Sequence, residues 1–455
     1  MKKKNYLRRA KWVQSCTLVC VIFMLISLVR ISAILPGLSE EDDMKKSQAK
    51  EKAWRKEYTR GSILDRHGKK ICWSEKPMGE RKVIHSLASS GLLGYCSARY
   101  GTFGLEKTYD PYLTRSRSKK GEKKGADLTL TLDESIQEEA YRLIKDWEGS
   151  LVVLDAGSGE ILALASSPSF DLNQLEDQWE KISGQDGMLL PNAYRNPVAP
   201  GSVFKLVTSR EILEEGIQKE SVDDQGYLVV NGQKIHNYRG NAHGRISFTQ
   251  GFIHSSNVYF MDRALKLGGS RMEEAADAFL VGRDIPLDFT TLHSTFDLEE
   301  GSDNLLAVTA FGQGNTLITP LQMAMIVQSI ANQGVMKKPY LVRAVTDARG
   351  SRIIEGEEKI LTRTMGKKTA GKLAGVMKKA ADHYGLCKVG DGDYDIAAKT
   401  GTAQRGDGTN NAWLATFAPA DHPRYVVVAS RLKTKKIGKD LAGEVEKIYD
   451  LLLDW

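Results

Sequence analysis

Three short polar motifs, far apart in the chain, constrain this fold more than any other feature: Ser202-Val203-Phe204-Lys205, Ser255-Ser256-Asn257 and Lys399-Thr400-Gly401. For them to act together, the fold must bring a helix start, a turn and a strand to one point. None is decisive alone. A Ser three residues before a Lys occurs at Ser47, Ser116, Ser202 and Ser430, and Ser-x-Asn occurs at Ser255 and Ser302. Lys-Thr-Gly occurs once, at Lys399. Physical context has to choose among the copies.

Ser202 follows Pro200-Gly201 and precedes an apolar segment with helical spacing. That predicts a helix start with Lys205 one turn later on the same face. A serine hydroxyl is a weak nucleophile and needs a base within hydrogen-bond reach. A buried lysine can lose its proton near neutral pH and serve as that base. The other copies fail on context. Ser47 lies in a charged stretch, Ser116 in a basic loop, and Ser430 in a strand that runs into Lys433, Lys435 and Lys436. The ordinary alternative for Ser202 is a helix cap with an exposed lysine.

Ser255 and Asn257 precede an amphipathic helical run, so both can reach a cleft from one turn. Ser255 can relay a proton between Lys205, Lys399 and a leaving amine, while Asn257 can hold an amide carbonyl. Ser302-Asp303-Asn304 opens another apolar helix and reads as a cap. Lys399 to Gln404 lies in an alternating run and is expected on a strand. Gly401 lets a backbone approach closely. Lys399, Thr400 and Thr402 would bind a carboxylate. The N–H groups of Ser202 and Thr402 would form an oxyanion pair.

Six of the first eleven residues are Lys or Arg, which accounts for most of the formal charge of +7. The basic excess is a tail effect, without the basic and aromatic stripe of a nucleic-acid binder. Residues 12–29 are uncharged and long enough to span a bilayer, with an extension to residue 35. The positive tail predicts a cytoplasmic N-terminus and an uncleaved anchor, with the remainder outside the membrane. Five cysteines and eight histidines show no metal-ligand spacing, so neither a metal nor a cofactor is expected.

The expected order is a tail at 1–11, an anchor at 12–35 and a charged stalk at 36–58. A small β-rich pedestal at 59–146 and a catalytic domain at 147–455 follow. Strands are expected at 150–154, 160–166, 396–402, 411–418 and 425–430, with a final helix at 444–453. Strands first, helices in the middle and strands again indicate an α+β domain with an antiparallel sheet.

With the three motifs placed in this order, the chain resembles a class B penicillin-binding protein, a monofunctional D,D-transpeptidase of bacterial cell-wall synthesis. The resemblance extends to Gly94-Tyr95 to Glu106, Leu130-Thr131-Leu132-Asp133, Gly312-Gln313-Gly314, Ala331-Asn332-Gln333-Gly334 and Ala412-Trp413-Leu414. It implies that Ser202 attacks the D-Ala-D-Ala amide of a peptidoglycan stem peptide and releases D-Ala. A neighbouring amine then takes the acyl group. It further implies β-lactams as inhibitors and a membrane glycosyltransferase of the RodA/FtsW type as partner. The chain departs from the family pattern at Ala398, where Gly is common, and in the spacing of Asn192 to Arg195. Two other readings share parts of the pattern: a β-lactamase or β-lactam sensor of the same fold, and a non-catalytic scaffold of the division or elongation machinery.

Overall fold

Strands of alternating small and branched apolar residues form a five-stranded antiparallel sheet. They are β1 (Gly149–Asp155), β2 (Ile161–Ser167), β3 (Ala397–Gln404), β4 (Asn410–Ala418) and β5 (Tyr425–Thr434), in the order β3-β4-β5-β1-β2. All neighbours run antiparallel. Both faces are buried along most of β1, β2, β4 and β5, which is why these strands read as mostly apolar runs. In β5, Val426 and Val428 enter one core while Val427 and Ala429 enter the other, the two-residue period of a strand.

The computed structural model describes residues 56–115, 123–285, 287–299, 301–386, 388–389 and 392–453. The chain divides into two compact units, Met1–Tyr58 and Thr59–Trp455. The expected tail, anchor and nearly all of the stalk lie outside the described residues, as do Cys16, Cys20, Cys387 and the loop at Ser116. No helix among the described residues is long and apolar enough to cross a membrane.

Six helices frame the sheet: α1 (Glu134–Ile144), α2 (Lys205–Glu214), α3 (Asn257–Leu267), α4 (Pro320–Ala331), α5 (Lys367–Tyr384) and α6 (Ala442–Leu453). Helices α1 and α6 share one core with the sheet through Ile136, Ala140, Val445 and Ile448. Asp133 caps α1 by accepting from the N–H groups of Ser135 and Ile136. On the other face α4 is apolar nearly all round and every one of its residues is buried, as expected of a helix at the centre of a core. The apolar faces of α2 and α3 join that same core.

A second, six-stranded sheet runs Arg352–Glu355, Val342–Thr346, Asp127–Leu130, Ile63–Leu64, Lys70–Trp73, Lys82–Val83. Its Ile63–Leu64 and Lys70–Trp73 strands pair antiparallel as a hairpin around Gly68. Two features were not signalled. Ile63–Leu64 pairs in parallel with Asp127–Leu130, and Val342–Thr346 returns from the later chain to pair on the other side of that strand. Close to this sheet, Glu106 is buried between Arg60 and Arg81, which donate to its carboxylate at 2.6 and 2.7 Å.

Candidate active site

Ser202 sits on a short 3-10 turn, Gly201–Phe204, that runs straight into α2. The sequence predicted a plain helix start; the tighter turn reflects how closely this segment packs on strand β3. Gly201 has φ +57, and a Cβ there would meet the Thr402–Ala403 peptide at 2.8 Å. Gly312 lies on the other side and accepts the Gly201 N–H at 2.9 Å. From the strand side, a Cβ on Gly401 would meet the Pro200 carbonyl oxygen at 2.8 Å and Val203 at 3.0 Å. Gly401 therefore permits close approach of the nucleophile turn. The Trp413 indole of β4 donates to the Ala199 carbonyl at 3.1 Å and anchors the residues before the turn.

Lys205 opens α2 and is fully buried. Its Nζ lies 3.0 Å from Ser202 Oγ, 2.6 Å from the Ser255 carbonyl oxygen, 2.8 Å from Asn257 Oδ1 and 3.2 Å from Ser255 Oγ. Two of these neighbours, the Ser255 carbonyl and the Asn257 Oδ1, can only accept. A neutral amine has two N–H groups and one lone pair, so those acceptors use both donors. The lone pair is left for a hydroxyl, and the Ser202 O–H is in reach. Burial, and next the charge of Lys399, push the Lys205 pKa well below that of an ordinary lysine, against a smaller raising influence from Asp224. Phe260 and Phe311 face the amine with ring centroids at 5.4 and 5.9 Å, adding to its apolar surroundings.

Lys399 is equally buried. Its Nζ meets three oxygens: Ser255 Oγ at 2.9 Å, the Thr400 carbonyl at 3.0 Å and Tyr384 Oη at 3.2 Å. That set matches the three donors of an ammonium. The Ser255 hydroxyl thus stands between the two lysines. Ser255 holds φ at +54, an uncommon value for a residue with a side chain.

The next residue explains how that backbone is held. Ser256 caps α3 by accepting from the Tyr259 N–H at 3.0 Å and donates to buried Asp224 at 2.6 Å. Asp224 also accepts from the Asn237 amide and the Gly226 N–H. Asn237 Oδ1 in turn accepts from the Val258 N–H. This lattice fixes the start of α3, so Asn257 Oδ1 meets Lys205 while its amide donates to the His236 carbonyl at 3.1 Å.

The structure brings Ser202, Lys205, Ser255, Asn257 and Lys399 into one hydrogen-bonded group. Ser202, Ser255, Asn257, Thr400, Gly401 and Thr402 line a cleft of about 950 Å³ above the two lysines. Thr402 Oγ1 accepts from the Gly438 N–H at 3.4 Å. Ser302 lies outside this group and caps a helix by accepting from the Leu305 N–H. Sequence reasoning missed Asp224, Asn237 and Tyr384, isolated polar residues that belong to no spaced pattern.

The fold and the site together define a serine acyl-transfer centre: a serine turn packed on an edge strand, with a buried lysine amine in hydrogen-bond reach of the serine hydroxyl. The description "Penicillin binding protein transpeptidase domain" matches residues 149–449, and the chain belongs to that family. It is 26% identical over 451 residues to a peptidoglycan D,D-transpeptidase PbpA of Mycolicibacterium smegmatis, covering 89% of this chain and 91% of that one. A PbpA of Mycobacterium tuberculosis is 27% identical over 453 residues, with the same coverage. Among solved structures, the D,D-transpeptidase domain of a peptidoglycan glycosyltransferase from Eggerthella lenta superposes with a TM-score of 0.81 at 27% identity, covering 88% of this chain and 99% of that one. The ceftriaxone acyl-enzyme complex of penicillin-binding protein A from M. tuberculosis gives the same TM-score and coverage at 24% identity, a likeness of fold.

Proposed function

We propose that this chain is a class B penicillin-binding protein that cross-links peptidoglycan stem peptides as a D,D-transpeptidase. The observation that carries this reading is the buried Lys205 amine, 3.0 Å from Ser202 Oγ and 2.6 and 2.8 Å from two oxygens that can only accept, the Ser255 carbonyl and Asn257 Oδ1. Ser202 passes its proton to Lys205 as its oxygen bonds to the carbonyl carbon of the penultimate D-Ala. The oxyanion is received by the N–H groups of Ser202 and Thr402. The C–N bond to the last D-Ala breaks, and its amine takes the proton through Ser255. An amine from a second stem peptide attacks the resulting ester and gives up its proton to the same lysine. A new amide forms and Ser202 regains its hydrogen. Thr400 and Thr402 hold the terminal carboxylate, and the Lys399 charge attracts it. β-Lactams enter the same cycle as acylating inhibitors. The mechanism calls on no metal, no cofactor and no nucleic acid.

Residues 12–35 serve as a membrane anchor in this reading, with residues 1–11 in the cytoplasm and the stalk at 36–58 and all that follows outside it. The uncharged run behind a basic tail supports this. Residues 59–146 act as a pedestal for the catalytic domain at 147–455, and a RodA/FtsW-type glycosyltransferase supplies the glycan strand.

The test is release of D-Ala from a stem pentapeptide, with and without an added amine acceptor. Release that depends on Ser202, together with acceptor-dependent amide formation, is expected. Steady hydrolysis of penicillin without either would contradict the transpeptidase reading.

A further inference from the structure

Among the described residues, no carboxylate lines the active-site cleft. Its lining residues include Lys234, Arg239 and Lys439 and no Asp or Glu. This is a local asymmetry, because beyond the basic tail the chain carries nearly equal numbers of basic and acidic residues. All three cations are exposed. Among the described residues none of the three has an acidic partner, whereas other surface lysines do: Lys69 with Glu134, Lys82 with Glu75, Lys266 with Glu220. The acids nearest in sequence are turned to other work. Asp224 is buried and accepts from Asn237 and Ser256, and Asp440 accepts from the Ile437 N–H.

The three cations flank the site from two sides. Lys234 lies on the strand Gln233–His236, which is tied to the second motif by the Asn257 amide on the His236 carbonyl. Arg239 follows in the turn Tyr238–Gly240. Lys439 lies on the turn Gly438–Leu441, tied to the third motif by the Gly438 N–H on Thr402 Oγ1. Aromatic rings hold two of them: Lys234 Nζ sits 4.5 Å from the Tyr227 ring centroid and Arg239 Cζ 5.2 Å from that of Tyr238. Ring faces hold a cation without neutralising it. Four histidines, His236, His243, His254 and His383, complete these walls. Burial lowers the pKa of His254 and His383. A one-signed cleft with low-dielectric walls concentrates anions.

We infer that the cleft selects stem peptides that carry free carboxylates besides the C-terminal one, bound by Lys234, Arg239 and Lys439. This rests on the transpeptidase reading above and adds the chemical class of the peptide. The terminal carboxylate is already provided for at Thr400 and Thr402. The rim cations are therefore available to further carboxylates along the bound peptide, whose charge amidation would remove.

The experiment uses the full chain and two synthetic stem pentapeptides, identical except that one has free side-chain carboxylates and the other has them amidated. D-Ala release is followed at low and high salt. The expected kcat/KM is about fivefold to tenfold higher for the free acid, mostly through KM, and the gap narrows at high salt. The triple variant Lys234→Gln, Arg239→Gln, Lys439→Gln is expected to lose the preference, and Arg239→Glu to reverse it in part. Variants are first checked for penicillin acylation of Ser202, which establishes an intact fold. Equal wild-type rates on the two peptides, or a preference that survives the triple variant, overturn this inference and leave the transpeptidase reading standing. Turnover of neither peptide overturns both.

Discussion

The Lys399 ammonium donates to the Ser255 hydroxyl across 2.9 Å, joining segments 144 residues apart. The same hydroxyl lies 3.2 Å from Lys205 Nζ. It is the one side-chain oxygen among the described residues that hydrogen-bonds to both buried lysines, and in the proposed mechanism it is the route by which a proton taken from Ser202 reaches a leaving amine.

Ser255→Ala breaks that route without emptying a core position. The expected result is a fall of about 100-fold in the rate of Ser202 acylation, within the usual contribution of a positioned proton donor or acceptor. The unfolding temperature is expected to stay within a few degrees of wild type. Stopped-flow acylation and thermal unfolding on the same preparation check both.

The pH dependence has a definite sign. Lys205 must be neutral to act, and burial followed by the Lys399 charge lowers its pKa. Acylation therefore rises with pH through that lowered value and levels off above it. Lys399→Met withdraws one of the two lowering causes, so the rising limb moves to higher pH. Stability runs the same way: between the lowered pKa and the ordinary lysine value the unfolded chain binds a proton that the folded chain lacks, so folding is favoured as pH rises. The pH–rate profiles of wild type and Lys399→Met test the shift.

Lys205→Arg puts a permanent charge at this position and removes the lone pair, because a guanidinium does not deprotonate in proteins. Acylation is expected to fall by about 10³-fold or more, near the upper range for loss of a general base. Full activity in this variant, measured with the same acylation assay, would move the base elsewhere.

Gly401→Ala places a methyl group 2.8 Å from the Pro200 carbonyl and 3.0 Å from Val203. The neighbour on one side is backbone, so the nucleophile turn must shift. Loss of acylation with a cooperative unfolding transition retained is the expected pattern, read by penicillin binding and calorimetry.

Glu106 governs acid stability away from the catalytic site. Burial alone would raise its pKa, but Arg60 and Arg81 outweigh burial and hold it at about 2. Its contribution is complete above the ordinary glutamate range and is lost as pH falls toward 2. Glu106→Gln leaves two buried guanidinium groups without their shared carboxylate and is expected to cost about 3–5 kcal/mol. Denaturant unfolding at neutral pH, repeated at acid pH where the difference from wild type narrows, measures it.

Much of the central sheet was readable in advance because β1, β4 and β5 are buried on both faces and must be apolar along their length. The meeting of Ser202, Ser255 and Lys399 was readable because acyl transfer demands those groups together. Asp224 and Tyr384 were not, since a single polar residue that supports a motif from beneath leaves no periodic trace. The pairing of Val342–Thr346 with Asp127–Leu130 was equally hidden. Strand pattern fixes which face is buried and leaves the distant partner open. The 3-10 form of the Ser202 turn depends on the Gly201 and Gly401 contacts, which exist only once the strand and turn have met.

The most direct test of the central claim is mass mapping of the chain after brief exposure to penicillin, wild type beside Ser202→Ala. The account predicts one penicilloyl group on the peptide carrying Ser202, stable over minutes, and none on the variant. A label on another residue, or equal labelling of the folded variant, would contradict it.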